Sequence, residues 1–126
     1  RKISVSTPED TAAIFMEDMR YLKKEHFRVL LLNVKNEIIS VGDVSVGSIS
    51  SSEAHPREVF AEAVRRGAAN VILIHNHPSG TPAPSRADIE LTKRLYEAGV
   101  ILGIQVLDHI IIGDGIFVSM KREGIF

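Results

Sequence analysis

His75-Asn76-His77-Pro78-Ser79-Gly80 follows directly on the apolar run Asn70 to Ile74. In an extended strand, residues two apart project from the same face. His75 and His77 therefore point together, about 6.6 Å apart along the chain. Imidazole arms at that spacing can converge on one metal ion, with bonds of about 2.0–2.1 Å each. Pro78 and Gly80 end the strand, which places the pair at its C-terminal lip. In open α/β sheets that edge is where sites gather.

Ser85-Arg86-Ala87-Asp88 opens the next helix. It reads as a capping box, with Ser85 as N-cap and Asp88 in place of the usual Glu or Gln. Asp88, Leu91 and Leu95 recur at i, i+3 and i+7, so Asp88 belongs to the face that packs on the sheet. An inward carboxylate needs a counter-charge, because burying a bare charge is costly. Two neutral imidazoles do not supply it; a divalent cation does. Two His and one Asp make three protein ligands and leave a fourth position for water, the arrangement of a catalytic zinc site. A two-His-one-carboxylate iron oxygenase uses the same ligand types, and ligand chemistry alone leaves it open. A zinc deaminase needs cysteine ligands, and the chain has no Cys. The letters HNH do not make a nuclease, whose residues are spread along a ββα motif.

His75-x-His77, seven residues, then Ser85-x-x-Asp88 resembles the H-x-H-x7-S-x-x-D signature of the JAMM (MPN+) metalloproteases. The wider chain resembles the bacterial RadC family, through HPREVF at 55–60, HNHPSG at 75–80, PSRADIELT at 84–92 and VLDHIIIG at 106–113. The resemblance implies a cytidine deaminase-like α/β fold and one Zn2+ held by His75, His77 and Asp88. It implies a hydrolase acting on a peptide or isopeptide bond in a protein or peptide substrate. Ser85 would hydrogen-bond the developing oxyanion, cap its helix, or do both. RadC proteins usually carry a helix-hairpin-helix region before this domain. The chain, residues 1–126, is thus expected to be a single JAMM/MPN-like domain without that region, through which any DNA association would run.

Amide hydrolysis also needs a group that takes a proton from water and hands it to the leaving amine. JAMM proteases place a Glu at the start of the first core strand. Glu25, in Lys24-Glu25-His26-Phe27, is the nearest match; Glu37 and Glu53 are its rivals, and the absence of any base is the remaining alternative. His55 and Arg57 read as the start of a helix, with Arg57 within reach of a carboxylate. Asp108 and His109 read as a hydrogen-bonded pair near the core, behind the metal site. His26 reads as a surface histidine.

These residues must be carried by an α/β fold, a mixed sheet with helices packed on it. Thr7-Pro8-Glu9-Asp10 starts a helix running to about Lys24. Phe27 to Val34 and Glu37 to Val46 read as a hairpin turning at Lys35-Asn36, and Gly47 to Ser52 as a loop or a frayed edge. A second helix runs from His55 to Arg66, closed by Gly67. Asn70 to His75, apolar on both faces, reads as a central strand. A third helix is expected over Ser85 to Ala98, ended by Gly99. Strands follow at Val100 to Leu107, His109 to Ile112 and Ile116 to Ser119.

Composition sets the outer limits. The 126 residues are 44% hydrophobic and 25% charged, as in a soluble globular domain. The lack of cysteine fits a reducing cytoplasm and removes thiolate chemistry. A net charge of −1 gives no field for nucleic acid or anionic membrane, and no run approaches the roughly 20 apolar residues of a membrane span. A non-catalytic DNA-repair accessory, or a protein- or DNA-binding module with a vestigial metal site, is the alternative function. Tight, steeply salt-dependent duplex binding by the domain alone would favour it.

Overall fold

The computed structural model describes residues 2–47 and 54–126. Helix α1 is Pro8–Met19. Its start is a reciprocal cap: the Thr7 hydroxyl accepts from the Asp10 N–H, and the Asp10 carboxylate accepts from the N–H groups of Ser6 and Thr7. The helix stops at Met19 rather than near Lys24. Met19 is its last fully buried residue, and Tyr21, Lys23 and Lys24 are exposed. A longer helix would bury nothing more, and the chain turns instead toward the first strand.

Strand β1 (His26–Leu32) pairs antiparallel with β2 (Ile38–Val46). Between them the Asn33 side chain accepts the N–H groups of Lys35 and Glu37, and Asn36 takes a left-handed φ of 58°. The strand ends before Val34, which is solvent-exposed. Helix α2 (Pro56–Arg66) is capped by the His55 ring and closed by Gly67. Strand β3 (Asn70–Asn76) lies between β1, antiparallel, and β4 (Gln105–Ile112), parallel; β5 (Phe117–Ser119) closes the far edge. The sheet order is β2-β1-β3-β4-β5. This is a mixed five-stranded sheet with α1 on one face and α2 and α3 on the other.

Helix α3 is Arg86–Leu102, longer than the sequence pattern indicates. Gly103, at φ 73°, closes it, not Gly99. Gly99 lies inside the helix at a close crossing: a Cβ there would meet the Ile104 carbonyl oxygen at 2.4 Å. Val100, Ile101 and Leu102 look like strand residues, yet they form the exposed side of the last helical turn. The following strand is consequently one unbroken element, Gln105–Ile112, running through Asp108.

The sheet separates two apolar cores. Phe27, Val29, Leu31, Val71, Leu73 and Val106 face α2 and α3, while Leu30, Leu32, Ile72, Ile74, Ile110 and Ile112 face Phe15 and Met19 of α1. In β4 the alternation is interrupted by a bulge. Val71 pairs with Val106 but Ile72 pairs with Asp108, leaving Leu107 as the extra residue. Leu107 joins the α1 core and Asp108 borders the same side, against Ile72. His109 is thereby returned to the α3 face, in edge contact with Phe27. Among the described residues no helix is long and apolar enough to cross a membrane.

Candidate metal centre

His75 is the penultimate residue of β3, and the ladder carries one step beyond it: the His77 N–H donates to the Ile112 carbonyl at 2.9 Å. His77 therefore stays extended although the chain turns at Pro78. The turn is held by the Gly80 N–H on the His77 carbonyl and by the Asp114 N–H on the Gly80 carbonyl. Seven residues on, Ser85 caps α3. Its hydroxyl accepts from the Asp88 N–H at 3.0 Å, and the Asp88 carboxylate accepts from the Ser85 N–H at 2.9 Å. The cap fixes the Asp88 side chain over the strand end.

Three side chains meet there. His75 Nε2 and His77 Nε2 are 3.0 Å apart; Asp88 Oδ2 is 3.1 Å from His77 Nε2, and Asp88 Oδ1 is 3.5 Å from His75 Nε2. Tetrahedral ligands bound at about 2.0–2.1 Å stand about 3.3 Å from one another. The triangle fits a small divalent ion by both donor chemistry and size. Glu25 adds a second carboxylate: Glu25, His75 and His77 form a group that could hold a metal ion, with donor atoms within 4.8 Å of one another. Of the two acids, Asp88 lies within bonding contact of both rings and is buried, whereas Glu25 is half-buried and more distant.

The charges agree with this arrangement. Burial pushes the Asp88 carboxyl up, but the His75 and His77 rings beside it and the hydrogen bond from the Ser85 N–H outweigh that and hold it far below the usual carboxylate range. His77 is raised, chiefly by its hydrogen bond to Asp88 and against the effect of burial. Its Nδ1–H donates to the Thr81 carbonyl at 2.9 Å, which leaves Nε2 as the atom that faces the site. Without an ion, a charged His77 donates from Nε2 toward Asp88 and His75. With one, that proton must leave.

Glu25 precedes β1, and antiparallel pairing of Phe27 with His75 brings it across the sheet to the histidines. The buried side chain of Asn76 fastens it there. Asn76 Oδ1 accepts from the His26 N–H at 2.7 Å, and its Nδ2 donates to the Lys24 carbonyl at 3.1 Å. Both neighbours of Glu25 are thus tied to the strand that carries the histidines. The rival Glu37 lies at the other end of β1 and β2, roughly 20 Å from the site on strand rise alone, and accepts from the Asn33 side-chain amide. Glu53 lies outside the described residues. Ser85 is exposed at the rim, and with its oxygen engaged by the Asp88 N–H its hydroxyl proton remains for another acceptor.

Asp108 and His109 part company. The Asp108 carboxylate accepts from the Ser119 hydroxyl and from the backbone N–H groups of His109 and Lys121, on the far side of the sheet from the histidines. Burial raises its carboxyl above the ordinary value. The His109 ring turns to the metal side. Its Nε2 is 2.7 Å from His75 Nδ1, and its Nδ1 is 2.6 Å from Thr92 Oγ1. Full burial drives its pKa well down, keeping it neutral. Thr92 and Asn76 are the residues that sequence reasoning missed. The only signal for Thr92 was its i+4 spacing from Asp88, and for Asn76 its place between the two histidines. His55 caps α2, its Nδ1 accepting from the Arg57 N–H, and the Arg57 side chain lies beside Glu58; the half-buried His26 ring lies 3.4 Å from Asp43.

Comparison with known proteins bears on this geometry. A family model described as the RadC-like JAB domain matches residues 5–125. The chain is 59% identical over 123 residues to a UPF0758 protein of Caldanaerobacter subterraneus, covering 98% of the chain and 53% of that protein. It is 61% identical over 123 residues to a UPF0758 protein of Desulforudis audaxviator, covering 98% of the chain and 54% of the relative. It is 59% identical over the same length to one from Bacillus cereus, again with 98% of the chain covered and 55% of the relative. The chain therefore spans about half the length of these relatives.

Proposed function

The chain belongs to the RadC family of JAB-domain proteins, and from that premise we propose that it is a zinc-dependent hydrolase of the JAMM type, cleaving a peptide or isopeptide bond. The observation that carries the reading is the triangle of His75 Nε2, His77 Nε2 and the Asp88 carboxylate, with Glu25 on its open side. His75, His77 and Asp88 would hold the ion. When bound, zinc supplies Lewis acidity toward a carbonyl oxygen and toward water.

The rest falls to the chain's own side chains. Glu25 takes a proton from the attacking water and delivers it to the leaving nitrogen as the amide bond breaks. Ser85, its oxygen already fixed by the Asp88 N–H, donates its hydroxyl proton to the oxygen that gains charge. Asn76 keeps Glu25 in place by its grip on Lys24 and His26. The buried surroundings of His75 limit water on the protein side of the site, whereas the half-buried His77 and Glu25 leave the other side open to substrate.

Elemental analysis of the purified chain tests the ligand set. The expected result is one equivalent of zinc in the wild type, none retained by His77→Ala or Asp88→Ala, and full retention by Glu25→Gln. Stoichiometric zinc in both the His77 and Asp88 variants removes the proposed ligands, and stoichiometric iron in the wild type moves the site to oxygenase-type chemistry.

A further inference from the structure

The buried hydrogen bonds behind the site form a closed loop. Thr92 Oγ1 is 2.7 Å from the Asp88 carbonyl, 2.6 Å from His109 Nδ1 and within 3.6 Å of Met120 Sδ. His109 Nε2 is 2.7 Å from His75 Nδ1. The loop therefore starts at one member of the triangle, Asp88, passes through Thr92 and His109, and returns to another, His75. Thr92 and His109 are both fully buried.

The proton positions in this loop are forced one after another. A carbonyl only accepts, so the Thr92 hydroxyl donates to Asp88 O. Its oxygen is then the acceptor for His109 Nδ1–H. A neutral imidazole with a proton on Nδ1 has a bare Nε2, and His109 is buried among Phe27, His75 and Thr92, with no carboxylate hydrogen-bonded to its ring among the described residues. His109 Nε2 must accept from His75 Nδ1–H. In the neutral form of His75 the Nε2, aimed at His77 and Asp88, is then the bare nitrogen.

We propose that His109 and Thr92 are positioning residues that lock His75 into the Nδ1–H tautomer and so preset its Nε2 as a metal ligand; this rests on the hydrolase reading above. Ligating histidines usually donate their second nitrogen to a carboxylate, a carbonyl or water. Here the acceptor is an uncharged imidazole, which orients the ligand without adding negative charge behind it. The bulge at Leu107 is what delivers it: with regular alternation after Val106, Asp108 would occupy this face. The same loop ties the first turn of α3 to β4, so the orientation of His75 and the position of Asp88 are set together.

Two measurements test the relay. Long-range 15N–1H NMR of the metal-free chain should show His109 and His75 both protonated on Nδ1 and not on Nε2; a proton on Nε2 of either overturns the proposal. This readout does not depend on metal, so a relay that fails is distinguished from a wild-type chain that does not bind zinc. Chelator competition should then show zinc affinity reduced about ten- to a hundredfold in His109→Phe and Thr92→Val, as for other supports of metal ligands, with recovery in Thr92→Ser. A folded Thr92→Val that binds zinc as the wild type does overturns it. That variant keeps the test intact if His109→Phe does not fold.

Discussion

The carboxamide of Asn76 and the main-chain N–H of His26 are joined by a 2.7 Å hydrogen bond, and the same carboxamide donates to the carbonyl of Lys24. Glu25 is the residue between those two anchors. Removing the amide leaves part-buried main-chain groups of the β1 entrance unpaired. Asn76→Ala should lower stability by about 1–3 kcal/mol, reduce turnover, and leave zinc content unchanged. Urea denaturation and elemental analysis on one preparation check this. Loss of zinc together with activity would assign Asn76 to the ion rather than to Glu25.

Glu25→Gln keeps the size of the side chain and removes its capacity to accept a proton. The expected fall in rate is about 10²–10⁴-fold, with zinc still stoichiometric. The check is single-turnover hydrolysis of a fluorogenic isopeptide or peptide substrate. An unaltered rate would return the proton transfer to another group.

Acidity acts in opposite directions on metal binding and on the metal-free fold. His77 is raised above its ordinary value of 6.5 by its hydrogen bond to Asp88. An ion must displace the Nε2 proton, so zinc affinity should fall steadily from about pH 8 to about pH 5.5. In the metal-free chain a raised folded pKa means the charged His77 contributes stability below 6.5 and loses it as pH rises through the higher folded value. Asp88, lowered from 3.8, contributes above that value and loses its share only in stronger acid. Calorimetric titration with zinc and thermal melts of the metal-free chain over the same buffers should therefore slope oppositely.

The crossing of α3 with the strand that follows it depends on Gly99. Gly99→Ala would press a methyl group against the Ile104 carbonyl, with Phe60 and Val106 also at contact distance. The expected cost is about 1–3 kcal/mol. Gly103→Ala meets no atom but must adopt a left-handed backbone, for about 1–2 kcal/mol. Denaturant midpoints of the two variants give both values, and a neutral Gly99→Ala would overturn the close crossing with Ile104.

Those two glycines mark where sequence reading stopped being sufficient. Either could end a helix, and Val100-Ile101-Leu102 has the composition of a strand. What decides is burial: the three are exposed, and Gly99 is needed for a close contact made by distant residues. The His75, His77, Ser85 and Asp88 cluster was legible because one strand end, one loop and one helix cap carry it all, and local periodicity sets their directions. Glu25 was legible only as one of several glutamates, since it is strand pairing that brings it beside the histidines. His109 was paired in the sequence with Asp108 because alternation is assumed to be regular; an extra residue in one strand reverses it. Thr92 looks like any polar residue within a helix until the ring that it supports is seen.

The residues of the triangle are neighbours in the chain, whereas the segment bearing Glu25 is fastened to Asn76 across 50 positions. Local contacts form early in folding and distant ones late. A nascent β3–loop–α3 unit can accordingly bring His75, His77 and Asp88 together before Glu25 arrives. Under the proposed function, reactivity would be armed last, when β1 docks, and an immature chain would hold the metal without the means to cut its neighbours.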